Sequence, residues 1–289
     1  MSPALAVIKA LRPKQWSKNG LLLVAIVFAE KYEEPASLLA VAIGVAVFCM
    51  LSSAGYLVND LRDVAQDRLH PDKKHRPIAS GQVGSGLAWG MVLVLVALGL
   101  SGAWYLLNPG FFVTAAAYLV TTLTYSMFFK HVAVLDVMGI AAGFIFRAVA
   151  GAEAIGVESS PWFLTCILFG ALFIGLSKRL AEIKLLEGVA GEHRKVLDEY
   201  SVELLRQLIT VTTACSLISY ALYTFDGEHG KWLMLTIPFV VYGVFRYLFL
   251  VDQKDLGGEP SSILLRDRPI QICMVLFIAV AVLCLRFGG

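Results

Sequence analysis

The sequence predicts an all-α polytopic membrane protein with nine transmembrane helices in a single domain, residues 1–289. Three observations predict it. First, 58% of the 289 residues are hydrophobic and only 16% are charged, against about 45–50% and about 25% in an ordinary soluble domain. Second, the apolar residues gather into long runs, and a membrane helix needs about 20 such residues. Third, Lys and Arg fall almost entirely on alternate links between those runs, as cytoplasmic loops do.

The runs lie at about 16–30, 37–58, 86–107, 111–129, 132–152, 161–177, 206–225, 232–250 and 270–287. The first is short, and the sixth and seventh have polar ends. Asn108-Pro109-Gly110 reads as a turn between the third and fourth. Longer polar stretches occupy about 59–85, 177–205 and 251–269. No low-complexity segment or soluble domain interrupts this pattern. Cys49, Cys166, Cys215, Cys273 and Cys284 lie inside apolar runs without a C-x-x-C pair. They read as small buried hydrophobes, neither a disulfide framework nor a zinc site. The first twenty residues carry Lys9, Arg12, Lys14 and Lys18 but no early apolar core, so a removed signal peptide is not expected.

Orientation follows from the cations. With the N-terminus cytoplasmic, twenty of the 24 Lys and Arg residues face that side. Only Lys31, Lys231 and Arg286 face the other, and Arg147 falls within a run. An odd number of crossings in a cell (inner) membrane satisfies this count, and all three long polar stretches become cytoplasmic. Membrane lipids are therefore partners. The net charge of +2 is nearly neutral and says little about others; no nucleic acid is expected among them.

The segment Asn59 to Asp67 reads N-D-x-x-D-x-x-x-D and directly follows the apolar run that ends at Val58. If the helix continues, Asn59, Asp63 and Asp67 share one face at i, i+4 and i+8, with Asp60 one position round. Carboxylates held this close repel one another unless a hard cation neutralises them. Magnesium prefers oxygen ligands and commonly bridges carboxylates to substrate phosphates. Arg62, Arg68, Lys73, Lys74 and Arg76 follow closely and suit phosphate oxygens. Acid and base together describe a magnesium–diphosphate site on the cytoplasmic face, with Asn59, Asp60, Asp63 and Asp67 as metal ligands and the three aspartates as the catalytic group.

A second charged cluster follows the sixth run. Lys178 and Glu182 share a helical face with Leu185, and Arg179 lies beside it. Glu192, His193, Arg194 and Lys195 come further on. Lys178, Arg179 and Glu182 are expected to hold a phosphorylated donor. Arg147 stands in an otherwise apolar run, where an ionisable residue is expensive and a functional candidate by default; its alternatives are an anionic head group or a structural pair with Glu153 or Asp136. Tyr125 and Lys130 end the fourth run and are candidate substrate contacts, as is Lys18 in the basic segment Arg12-Pro-Lys-Gln-Trp-Ser-Lys-Asn19. That segment reads equally well as a membrane-surface anchor. Arg266 and Arg268 flank Asp267 just before Pro269 and the ninth run, and fit anion binding at the same face.

At these residues the sequence resembles the UbiA superfamily of intramembrane prenyltransferases, over essentially the whole chain. N-D-x-x-D-x-x-x-D after the second helix is that superfamily's first signature. Within it, the closer resemblance is to the decaprenyl-phosphate phosphoribosyltransferase branch. The matches are Arg12 to Trp16 with Lys18-Asn19, Asn59 to Asp67 followed by His70-Pro71, Arg76 to Gly81, Lys178-Arg179 with Glu182, and Leu265 to Pro269. Prenyltransferases acting on aromatics usually carry a second aspartate-rich motif after the sixth helix. Here Lys178-Arg179-Leu180-Ala181-Glu182 stands there instead, which favours a donor with an additional anionic group.

The resemblance implies a UbiA-type fold of nine helices around a central cavity, a magnesium cofactor, phosphoribosyl diphosphate as donor and a polyprenyl phosphate lipid as acceptor. On that reading Lys73, Arg76 and Lys130 are expected to neutralise the leaving diphosphate, and Lys178, Arg179 and Glu182 to hold the ribose 5-phosphate and hydroxyls. Arg147 or the Arg266–Arg268 pair would meet the acceptor phosphate. The alternative enzyme reading is a prenyl diphosphate donor with an aromatic or other small acceptor. A transporter is the alternative from a different class; the acids gather at one face and not at mid-membrane, which argues against it.

Overall fold

The computed structural model describes residues 2–69, 73–185, 195–226, 230–253 and 266–287, all helix, turn or irregular chain without a strand. His70, Pro71, Glu192 to Arg194 and Leu265 lie outside them. The chain divides into two compact units, residues 1–159 and 160–289. Among the described residues, eight helices are long and apolar enough to cross a membrane, four in each unit.

In the first unit the long helices are α3 (Pro35–Arg62), α5 (Ser85–Leu106), α6 (Pro109–Met127) and α7 (Leu135–Ala154). Shorter ones are α1 (Pro3–Ala10), α2 (Leu22–Phe28) and α4 (Val64–Leu69). Pro35 and Pro109 stand in the first turns of α3 and α6, where a missing N–H costs nothing. Asn108 caps α6, its Oδ1 accepting from the Phe111 amide at 2.9 Å. The core gathers Leu22, Val47, Phe48, Leu51, Phe111, Ala115 and Tyr118. Small residues let the helices approach, as in other membrane bundles: a Cβ on Gly55 of α3 would lie 2.5 Å from Thr122 Cγ2 of α6.

The run expected at about 16–30 is not one helix, and this corrects the expected count. A 3₁₀ segment, Pro13–Leu21, runs into α2. Pro13, Gly20 and five polar side chains between them weaken a regular helix here. The composite still traverses the unit antiparallel to α3. Arg12 meets Asp60 at one end, and Lys31 Nζ donates to the Ile155 carbonyl at the other, 3.3 Å away. Nine 3₁₀ and seven α residues reach about 28 Å at about 2.0 and 1.5 Å per residue, close to the ~30 Å hydrocarbon thickness.

α3 decides where the acidic motif sits. Its 28 residues extend about 42 Å, more than the ~30 Å apolar thickness, and its last turn carries Asn59, Asp60 and Arg62.

The second unit holds α8 (Pro161–Leu185), α9 (Val202–Asp226), α10 (Ile237–Gln253) and α11 (Arg268–Phe287). α8 packs along α9, and α10 along α11. Asp267 Oδ1 accepts from the Ile270 amide at 3.0 Å and so starts α11.

Candidate active site

α3 ends at Arg62, and Asp63 is its C-cap with φ −92° and ψ 7°. The acidic motif therefore does not lie on one continuous helical face, as the spacing predicts. α4 starts at once, and the Asp67 amide still donates to the Asp63 carbonyl at 2.8 Å. The offset sorts the four side chains into two sets. Asn59 and Asp63 face Lys130: its Nζ lies 3.2 Å from Asn59 Oδ1 and 2.5 Å from Asp63 Oδ1. Asp60 and Asp67 face Arg76, whose Nη1 lies 3.1 Å from Asp60 Oδ1 and 2.6 Å from Asp67 Oδ2. Asp60 and Asp67 are buried, and a buried charge persists only when paired.

Local structure aims each cation. Arg76 opens the turn Arg76 to Gly81, closed by the Ser80 amide on the Arg76 carbonyl at 2.9 Å and by Gly81 at φ 77°. Arg68 Nε clamps that turn to α4 through the Ala79 carbonyl at 3.0 Å. Lys130 lies in the 3₁₀ turn Phe129–His131 that follows α6.

A third cation, Arg12, also reaches the motif. Its Nη2 lies 2.6 Å from Asp60 Oδ1, and its guanidinium covers the Tyr56 ring at 5.1 Å. The Arg12 backbone is left-handed, φ 54° and ψ 58°, a conformation that costs an L-residue about 1–2 kcal/mol. The next turns are pinned to α3: Trp16 Nε1 donates to Ser53 Oγ at 3.0 Å, and Ser53 Oγ donates to the Leu11 carbonyl at 2.9 Å. Sequence reading picked Lys18 from this basic segment and missed Arg12. The signal was present in the Arg12-Pro-Lys-Gln-Trp16 match, but an i-to-i+48 pairing has no local pattern to reveal it.

The other candidates take up distinct places. Arg62 is exposed on the last turn of α3, while Lys18 and Lys73 are half-buried nearby in sequence. Tyr125 lies across Gly139, where an added Cβ would come within 2.7 Å of its ring. Arg147 is 5% exposed and sits deeper in the unit. Its Nε donates to Asn19 Oδ1, its Nη1 to the Gly143 carbonyl and its Nη2 to Tyr118 Oη, each at 2.8 Å. Neither Glu153 nor Asp136 pairs with it, contrary to the expected structural alternative; the neutral acceptors and the Tyr118 ring, 4.8 Å away, balance this cation. In the second unit Glu182 is gripped by Arg179 and lies 3.9 Å from Lys178 Nζ. Arg266 and Arg268 are exposed, and Asp267 between them pairs with Arg246 at 2.9 Å.

The donor set suits a hard cation: one amide oxygen and three carboxylates, without sulfur or imidazole. Each carboxylate engages its cations through a single oxygen, Asp60 Oδ1, Asp63 Oδ1 and Asp67 Oδ2, and so retains the second. Among the described residues no three acids, histidines or cysteines converge on one point; the arginines and the lysine stand between them. By chemistry the residues fit magnesium, whose charge would offset the carboxylates that Arg12, Arg76 and Lys130 neutralise here.

The UbiA prenyltransferase family model matches residues 20–266. The chain belongs to that family. The decaprenyl-phosphate phosphoribosyltransferase of Mycobacterium tuberculosis is 38% identical over 289 residues, covering 98% of this chain and 95% of its own. The enzyme of that name from Corynebacterium glutamicum is 40% identical over 276 residues, covering 92% of this chain and 82% of its own. Among solved structures, a UbiA homolog from Archaeoglobus fulgidus bound to GPP and Mg2+ superposes with a TM-score of 0.76 at 23% identity, covering 97% of this chain and 99% of its own. That likeness establishes the UbiA fold, and with it the expected all-α membrane architecture.

Proposed function

We propose that this UbiA-family protein transfers the 5-phosphoribosyl group of phosphoribosyl diphosphate to a polyprenyl phosphate and releases diphosphate. The carrying observation is the identity of 38% across 98% of the chain to an enzyme named for that transfer. The self-neutralised cluster of Asn59, Asp60, Asp63 and Asp67 with Arg12, Arg76 and Lys130 supports it as a diphosphate site.

The reaction breaks the anomeric C–O bond to diphosphate and forms a C–O bond to the acceptor phosphate. The acceptor oxygen is already anionic, so no general base is required. Asn59, Asp60, Asp63 and Asp67 would hold magnesium, which when bound offsets charge building on the leaving diphosphate. Arg76 and Lys130 would donate to diphosphate oxygens, fixing the bond to be broken. The burial of Asp60 and Asp67 lowers the local dielectric and strengthens each of these contacts. In the second unit, Lys178 beside the Arg179–Glu182 pair and the exposed Arg266 and Arg268 have the chemistry to bind anions. The polybasic stretches favour the cytoplasmic side of the cell membrane for the site, by the bias of Lys and Arg toward cytoplasmic links.

Incubation of the purified protein with magnesium, phosphoribosyl diphosphate labelled in the ribose and a panel of polyprenyl phosphates tests this. Label enters the lipid extract, and mass analysis gives the phosphoribosyl adduct. Label that stays in the aqueous phase while a labelled prenyl diphosphate alkylates an aromatic acceptor would replace this reading.

A further inference from the structure

We propose that Arg12, Arg76 and Lys130 are exchange partners of the motif: each leaves its carboxylate for a diphosphate oxygen when a divalent cation takes that carboxylate, so cation and diphosphate bind as one event. This rests on the diphosphate reading of the site given above.

The charges make the case. Asp60, Asp63 and Asp67 face Arg12, Arg76 and Lys130, three against three, in one connected cluster and a neighbouring pair. A divalent cation arriving alone would add two positive charges beside three cations already paired. A diphosphate arriving alone would bring several negative charges beside three carboxylates. Either addition leaves net charge in a partly buried site, where the effective dielectric is low and the penalty large. Arriving together, the metal pairs with the carboxylates and the diphosphate with the side-chain cations.

Burial shows which partners move. The side chains of Asp60 and Asp67 are 4% and 5% exposed. They cannot stand uncompensated and must hold one cation or another at every stage. Arg12 and Arg76 are 22% and 26% exposed, on stems long enough to swing their guanidinium groups outward. Lys130 is more confined, 10% exposed, but its partner Asp63 is the most open acid of the three at 21%. Asp60 Oδ1 accepts from both Arg12 and Arg76, so releasing one leaves the other in place until the metal arrives. That stepwise release keeps Asp60 paired throughout, whereas Asp67 must exchange Arg76 for the metal directly.

The test is Mn2+ binding to the full chain in lipid nanodiscs, followed by electron paramagnetic resonance, with and without inorganic diphosphate at matched free Mn2+. Diphosphate should tighten Mn2+ binding at least tenfold. Replacing Arg12→Met removes a competitor for Asp60: Mn2+ alone should bind more tightly than in the parent, and the gain from diphosphate should shrink. Arg76→Met, read the same way, serves if Arg12→Met does not fold. Equal Mn2+ affinity with and without diphosphate, or weaker Mn2+ binding in a folded variant, overturns the exchange. Ribose label measured in lipid on the same preparations keeps the two ideas apart. Coupled binding without lipid label refutes the reaction and keeps the exchange; lipid label without coupling does the reverse.

Discussion

Arg12 holds Asp60 across 48 positions of sequence with a 2.6 Å ion pair, from a backbone turned into the left-handed region. The Arg12 amide donates to the Lys9 carbonyl at 3.2 Å and its carbonyl accepts from the Gln15 amide at 2.9 Å, so one left-handed residue ends α1, starts the 3₁₀ segment and presents its guanidinium to a buried carboxylate. Strain of this kind persists where the surroundings over-determine it, as at ligand sites. Arg12→Lys keeps the charge but loses the planar fork and the contact with the Tyr56 ring. The donor KM should rise about tenfold, an energy of about 1.4 kcal/mol, with the thermal unfolding midpoint nearly unchanged. Steady-state kinetics at saturating acceptor checks this.

Asp63 and Lys130 form the other half of the site, and here chemistry and stability separate. Asp63→Asn removes the charge and keeps the shape, so turnover should fall at least about a hundredfold, as when a group stabilising transition-state charge is lost. It also removes the carboxylate 2.5 Å from Lys130 Nζ, a cation only 8% exposed, which destabilises the fold by up to about 3 kcal/mol. Adding Lys130→Met to Asp63→Asn should restore the thermal midpoint and not the turnover. A double variant that regains turnover would show that this pair is structural.

Arg147 behaves differently from a surface-facing anion binder. Its three hydrogen bonds tie α7 to Tyr118 of α6 and to Asn19 of the 3₁₀ segment, and Asn19 Nδ2 continues the network to Ser52 Oγ at 3.4 Å. Arg147→Met should cost about 2–3 kcal/mol, since hydrogen bonds to a charged group contribute about 1.5–3 kcal/mol and the partners stay buried. Thermal unfolding in detergent measures it. A variant with unchanged stability and lost acceptor binding would return Arg147 to the substrate contacts.

Gly151 of α7 sets how closely α2 approaches. A Cβ there would lie 2.4 Å from the Leu22 carbonyl oxygen, and backbone cannot yield as a side chain can. Gly151→Ala should therefore destabilise by about 1–3 kcal/mol, whereas Gly90→Ala on α5, with open space around it, should not. Paired thermal melts of the two variants decide this.

How much of this was legible in the sequence depends on the range of each interaction. The long helices and the location of the acidic motif follow from apolar runs and a local pattern, because the motif directly follows the apolar run that α3 forms. The break at Asp63 was not legible: no glycine or proline marks it, and the two faces it creates depend on Arg76 and Lys130 arriving from other elements. The Pro13–Phe28 composite was masked for a similar reason. Its buried Asn19 is tolerable only because Arg147, 128 positions away, answers it, and Arg147's own partners were sought among acids when they are an amide, a phenol and a carbonyl.

The second unit offers the remaining prediction. Glu182 is shared between Arg179, 1% exposed, and Lys178, 39% exposed on its side chain. Burial makes Arg179 the cation that Glu182 must neutralise, and the exposure of Lys178 leaves its ammonium within reach of an outside anion. Lys178→Met should then raise the KM for phosphoribosyl diphosphate several-fold while the KM for polyprenyl phosphate and the thermal midpoint stay near those of the parent. Arg179→Met, by contrast, removes the buried partner of Glu182, so it should lower the thermal midpoint. Kinetics with each substrate varied in turn reads both, and an acceptor KM that rises more than the donor KM in Lys178→Met would move this cation from the donor to the lipid.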